Sequence, residues 1–170
     1  IATDLRAARF MKADLHEANL CRSQLCNADL TEANLTGADL TEANLTHTSL
    51  SSSTLTGANL TNAFVAGADF EDTIALGFTA EQLYSTASYQ AQDLRGVNLE
   101  DNDLTGWNVA GQNLSGADIQ EATLTYADLS QANLIGANLR GTTAILANFQ
   151  AAALNNATFA PSAVDQIGLA

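Results

Sequence analysis

Residues 28–42 read Ala28-Asp29-Leu30-Thr31-Glu32-Ala33-Asn34-Leu35-Thr36-Gly37-Ala38-Asp39-Leu40-Thr41-Glu42. Three times in succession a small residue is followed by Asn or Asp, a leucine and two polar or small residues. A period of five fits neither a helix at 3.6 nor a strand at 2. A helix would carry every fifth side chain around all its sides. A flat strand would send alternate leucines to opposite faces. The chain must instead turn a corner once per repeat, so that each leucine points at a shared axis. Four quarter-turns close a square coil of twenty residues.

Working outward, the large apolar residue recurs without a break from Leu5 to Phe70, fourteen times, with Phe10 and Val65 among the leucines. The register fails between Glu71 and Gln92. It returns one residue out of phase at Leu94 and runs to Phe159, again fourteen times, with Ala144 as the one small centre. The residue two before the centre is mostly Ala and points inward as well. The other three positions face outward. Stacked coils would pair backbone to backbone at about 4.8 Å.

The pattern, with clean examples at Ala28–Glu32 and Ala132-Asn133-Leu134-Ile135-Gly136, resembles the pentapeptide repeat family. The resemblance covers nearly the whole chain outside residues 71–91. It implies an all-β fold, a right-handed quadrilateral parallel β-helix. The repeats predict about seven coils, with repeats over 3–72 and 92–160, a helical insertion over about 73–91 and a C-terminal cap over 161–170, all in one domain, 1–170. Two half-solenoids joined by the insertion are the second topology. The chain starts at Ile1 inside the repeat, which suggests a fragment or a processed chain.

Twenty residues per coil place Arg9 under Asp29, Lys12 under Glu32 and Arg22 under Glu42. In the insertion, Thr79 and Gln82 are spaced as a capping box. Ala80, Leu83, Tyr84 and Ala87 follow at helical spacing, which predicts a short helix from about Ala80 to Ser88. After it, Gln92, Val97, Asn102, Trp107 and Gln112 occupy positions that elsewhere hold small inward residues. A Trp in an alanine's place must tilt outward or widen the coil. The insertion is therefore expected to dock nearby, and Leu83, Tyr84, Tyr89 and Trp107 are the candidate partner contacts.

The chain carries 19 acids against 6 Lys and Arg, a net charge of −13, and 46% of its residues are hydrophobic. That sign excludes direct binding to nucleic acid, where phosphates need cations. No apolar run reaches the about 18 residues of a membrane helix, so no membrane partner is expected. Cys21 and Cys26 read as two free thiols. His16 and His47 fall on outward positions. Pairs such as Glu71/Asp72 and Glu100/Asp101/Asp103 read as surface acids. Several glycines fall two places after a centre, where the turn is tight. Thr residues after the centres run around all four faces, which excludes a flat ice-binding array.

These observations predict no enzyme, no cofactor and no metal. The expected function is a non-catalytic structural or protein-interaction module with a rigid acidic surface, the insertion being its contact patch for an unidentified protein partner. It would be a monomer, or a dimer through a terminal coil. The alternative rests on the resemblance: some pentapeptide repeat proteins mimic DNA and bind type II topoisomerases, giving quinolone resistance. From residue 23 onward there are 16 acids against Arg95 and Arg140, which suits that alternative.

Overall fold

The computed structural model describes residues 3–160, and the proposed cap over 161–170 lies outside them. The chain divides into two compact units, residues 1–91 and 92–170.

In the first unit, parallel bridges join residues twenty apart without slippage, from Asp4↔Gln24 to Ser49↔Asp69. The repeat explains each step of this ladder. Each centre's N–H donates to the next coil, as Leu30 does to Ser49 O at 2.8 Å. The residue before each centre donates back, as Asp29 does to Ala8 O at 2.9 Å. A tight turn then closes the corner, as in Ala33 N–H to Leu30 O at 2.9 Å.

The residue two after each centre sits at that corner with positive φ. The region costs L-residues backbone energy. Nine glycines occupy these corners, but so do many other residues, Glu32 at 56° and Asn62 at 57° among them.

Asn or Asp before each centre has a local task. Its side-chain oxygen accepts the N–H of the residue two further on, as Asp29 Oδ1 accepts from Thr31 at 3.1 Å and Asn133 Oδ1 from Ile135 at 3.2 Å. Such Asx turns are why these residue types recur at bends. The same side chains also link coils: Asn34 Nδ2 donates to Asp14 Oδ1 at 3.0 Å.

The core is the axis predicted from the period. Leu25, Leu30, Leu35, Leu40, Leu45, Leu50 and Leu55 have no exposed surface, nor have Ala33, Ala38 and Ala43. Burying each such leucine contributes about 2 kcal/mol. Leu5, Phe10, Leu15 and Leu20 of the first coil are only half-buried.

The charge test of the register gives a mixed result. Lys12 pairs with Glu32 at 3.3 Å and Arg22 with Glu42 at 2.7 Å. Arg9 and Asp29 are ladder partners, but no ion pair joins them among the described residues. Arg6 pairs instead within its own repeat, with Asp4 at 2.7 Å.

The second unit repeats the scheme from Asp93↔Asn113 to Asn133↔Ala153. Its two short strands, β1 (Asn138–Arg140) and β2 (Thr158–Ala160), pair in parallel, with Leu139 opposite Phe159. Elsewhere each face gives one bridging residue between turns.

Gln92 departs from expectation. It is exposed with φ 54°, in the corner conformation, and does not point into the core. The inward series begins at Val97. The phase shift between the two runs of repeats is thus taken up at Gln92 and Asp93.

Candidate protein-interaction site

The insertion begins where the ladder of the first unit loses its regular partner. Thr73 ends the last repeat with its hydroxyl donating to Phe70 O at 2.7 Å. One turn of 3-10 helix follows, Ile74–Leu76, and Gly77 closes it with φ 96°. Phe78 is then buried, its ring stacked on Phe70 with centroids 4.4 Å apart and planes at 1°.

The capping box forms as the spacing predicts. The Thr79 side chain accepts from Gln82 N–H, and the Gln82 side chain accepts from Thr79 N–H at 2.8 Å. The single helix expected from Ala80 to Ser88 is instead two, α1 (Ala80–Tyr84) and α2 (Ala87–Gln90). The break has a side-chain cause. Thr86 is extended, with ψ 149°, and its hydroxyl oxygen accepts from Tyr89 N–H, starting a new helix. Ser85 ends the first, its hydroxyl donating to Gln82 O at 2.7 Å. Ser and Thr side chains compete in this way for groups a continuous helix would use.

What the insertion does for the first unit is supply partners for its last coil. Leu55 N–H donates to Leu76 O and Asn62 N–H to Ser85 O, each at 2.9 Å. Ala87 N–H donates to Ala63 O at 2.9 Å. Two partners are side chains. Gln82 Nε2 donates to both Leu55 O and Ala58 O at 2.8 Å, and Ser88 Oγ accepts from Val65 N–H at 2.9 Å. An open strand edge is a template for unwanted pairing. Here those groups are satisfied from within the chain.

This geometry sorts the candidate contacts. Leu83 has no exposed surface and serves the core of the first unit, so it is no surface contact. Tyr84, the last residue of α1, and Tyr89 of α2 are half-buried, with ring centroids 4.6 Å apart and planes at 33°. Burial raises the phenol of Tyr89 above its ordinary range. Trp107 belongs to the second unit and is 8% exposed. It does not turn out to solvent, and its backbone keeps the ladder, with Asp128 N–H donating to Trp107 O at 2.8 Å.

Other chemistry is sparse. Cys21 and Cys26 are free and half-buried. His16 lies 3.6 Å from Glu17 on the surface. Among the described residues, no three His, Cys, Asp or Glu side chains gather as a metal site. No helix among them is long and apolar enough to cross a membrane.

The acids are partly structural. The aspartates at 4, 14, 29, 39, 69, 103, 118 and 128 each accept a turn N–H through Oδ1. The carboxyl of Asp4 falls to about 2 because Arg6 donates to it, and the Thr41 hydroxyl holds that of Asp39 below its usual range. Sequence reasoning missed Gln82 and Ser88 as ladder partners. Gln82 was legible only as half of the capping box, and Ser88 carried no signal.

Among solved structures the chain is similar to HetL of the cyanobacterium Nostoc sp. strain PCC 7120, a pentapeptide repeat protein involved in heterocyst differentiation regulation. The two are 35% identical over 91% of this chain and 67% of HetL, with a TM-score of 0.41. It is also similar to a pentapeptide repeat protein of the Arabidopsis thaliana thylakoid lumen, at 23% identity over 80% of this chain and 64% of that one, TM-score 0.39. A third is QnrB1, a plasmid-mediated fluoroquinolone resistance protein, at 12% identity over 96% of this chain and 78% of that one, TM-score 0.36. No curated protein matches the chain.

The model of pentapeptide repeats matches residues 8–46, 38–74, 93–125 and 124–159. Proteins of this kind form right-handed quadrilateral β-helices, and the twenty-residue parallel ladder of each unit is the register such a coil needs. On its repeats and its ladder, this chain belongs to the pentapeptide repeat family.

Proposed function

We propose that the chain is a non-catalytic protein-interaction module, a rigid frame that holds outward side chains at fixed spacing. Repeat proteins of this kind present extended surfaces in this way. The insertion is its contact patch. The observation that carries this is the pair Tyr84 and Tyr89, two aromatic rings in contact on helices that Gln82 and Ser88 anchor to the ladder. Tyrosines on a fixed base lose little entropy on binding and are common anchors of protein interfaces.

The DNA-mimic reading ranks second. It rests on the charge of −13, and eight of the 19 acids already have a turn to cap. A mimic needs charge placed for a partner, whereas these aspartates sit where the repeat needs them.

The test compares the chain with a Tyr84→Ser/Tyr89→Ser variant. Partners captured from the source cell are quantified by mass spectrometry, beside a gyrase supercoiling assay with and without fluoroquinolone. The expected result is a partner recovered by the parent and lost by the variant, with supercoiling unchanged. A partner retained by the variant removes the insertion as the contact. Inhibition of gyrase, or protection from the drug, moves the mimic into first place.

A further inference from the structure

Every corner with positive φ among the described residues carries glycine, alanine or a polar side chain, with two exceptions. The exceptions are Tyr126, φ 60°, and Leu146, φ 55°. They lie twenty residues apart in the second unit. The flanking bridges Thr123↔Thr143 and Asp128↔Asn148 stack them on one corner, and Tyr126 N–H donates to Ile145 O at 2.9 Å. Tyr126 is 62% exposed and Leu146 43%. One coil earlier the same corner holds Gly106, where an added β-carbon would meet nothing within 4 Å.

Each of the two residues departs from the rule of its position twice. A bulky side chain in the left-handed region is a backbone outlier. A large apolar group in water gains nothing for the fold. The corner imposes this φ at every repeat, so what needs a reason is the choice of Tyr and Leu there in place of Gly, Asn or Asp. Their adjacency on one corner makes them a single patch, with half-buried Ile145 beside it.

The charge around the patch selects its partner. Residues 92–160 hold seven acids against Arg95 and Arg140, a net of −5. Asp103 and Asp128 stand on the two faces that meet at this corner, and exposed Glu121 lies at the corner before it. A second copy, itself at −13, would be repelled. The spacing suits a helix, whose turns repeat every 5.4 Å against about 4.8 Å between coils.

We infer that the Tyr126–Leu146 corner is a docking site for a basic amphipathic helix of a partner protein, its apolar residues one turn apart on Tyr126 and Leu146 and its Lys or Arg side chains toward the flanking acids. The site shares no residue with the insertion, so it stands or falls apart from the tyrosine pair.

The probe is a synthetic amphipathic helix of Leu and Lys, with a second peptide carrying Gln for Lys. Binding is read by fluorescence anisotropy against the parent chain, Tyr126→Asn/Leu146→Asn, and Phe64→Asn as an exposed apolar control. Asn enters the left-handed region readily. The double variant should therefore keep or raise the melting temperature while binding the Lys peptide at least about tenfold more weakly. The Gln peptide should bind the parent more weakly by a similar factor, and Phe64→Asn should change nothing.

Equal binding by the double variant would show general charge attraction and overturn the proposal. So would an equal loss in Phe64→Asn, or no binding of the Lys peptide at about 1 mM. A parent dimer in sedimentation that the double variant makes monomeric would assign the corner to a second copy instead.

Discussion

Gly77 lies flat against the backbone of Thr56. A β-carbon on Gly77 would stand 2.7 Å from Thr56 Cα and 2.8 Å from its nitrogen, nearer than real β-carbons come. The approach is fixed from both sides, since Leu55 N–H donates to Leu76 O at 2.9 Å and Gly77 itself closes the 3-10 turn. This is the point at which the insertion is seated on the first unit.

Gly77→Ala should therefore destabilise strongly, by about 3 kcal/mol, as a backbone clash added to a strained φ. Gly57→Ala is the matched control. Its φ of 68° is as unfavourable for alanine, yet nothing lies within 4 Å of the added carbon. It should cost only about 1 kcal/mol. Gly67→Ala should fall between, because the obstacle there is the His47 ring, which can swing aside. Urea unfolding of the three variants gives the order, and equal losses would refute the packing argument.

Gln82→Ala removes a donor shared by Leu55 O and Ala58 O. The expected loss is about 2 kcal/mol. Amide exchange should rise first in the neighbouring turn, where Ala58 N–H donates to Leu55 O. Gln82→Glu should be worse than Ala near neutral pH, since it sets a carboxylate against two carbonyls, and should recover in acid as that group protonates. Indifference of Gln82→Glu to pH would mean that the edge is closed by other means.

Inward hydroxyls should divide by whether they are bonded. Ser53 Oγ is buried with no hydrogen-bond partner, so Ser53→Ala should leave thermal stability unchanged or raise it slightly. Thr48 Oγ1 donates to Leu25 O at 2.7 Å, so Thr48→Val should cost about 1 kcal/mol. A destabilising Ser53→Ala would show that its hydroxyl has a partner in solution.

The Arg6–Asp4 pair makes a pH prediction. Asp4 falls from 3.8 to about 2 chiefly because the Arg6 side chain donates to it. A depressed folded value stabilises the fold above the unfolded value, and that contribution is lost as pH drops from about 3.8 to 2. Carboxyl titration by NMR should place Asp4 near 2, well below the ordinary carboxylate range. Arg6→Gln should return Asp4 toward 3.8.

Much of the fold was legible because its code is local. The five-residue period assigns inside and outside at each position, and twenty residues per coil follow from the corners. Lys12–Glu32 and Arg22–Glu42 then follow from register alone. The Thr79–Gln82 capping box is likewise a matter of spacing. Arg9 failed the same test because an exposed side chain gains little from any one partner and is free to leave it.

What the amino-acid order determined by itself is the ladder, since a centre that turned outward would expose a leucine at every coil. What only the tertiary structure decided is how that ladder stops and restarts. The break at Ser85 and Thr86 and the use of Gln82 and Ser88 side chains in place of backbone depend on which carbonyls and N–H groups the last coil leaves open. Those groups are brought to the insertion from residues 21 to 27 positions earlier. A local pattern carries no record of them, and the cost of leaving them unpaired settles the outcome.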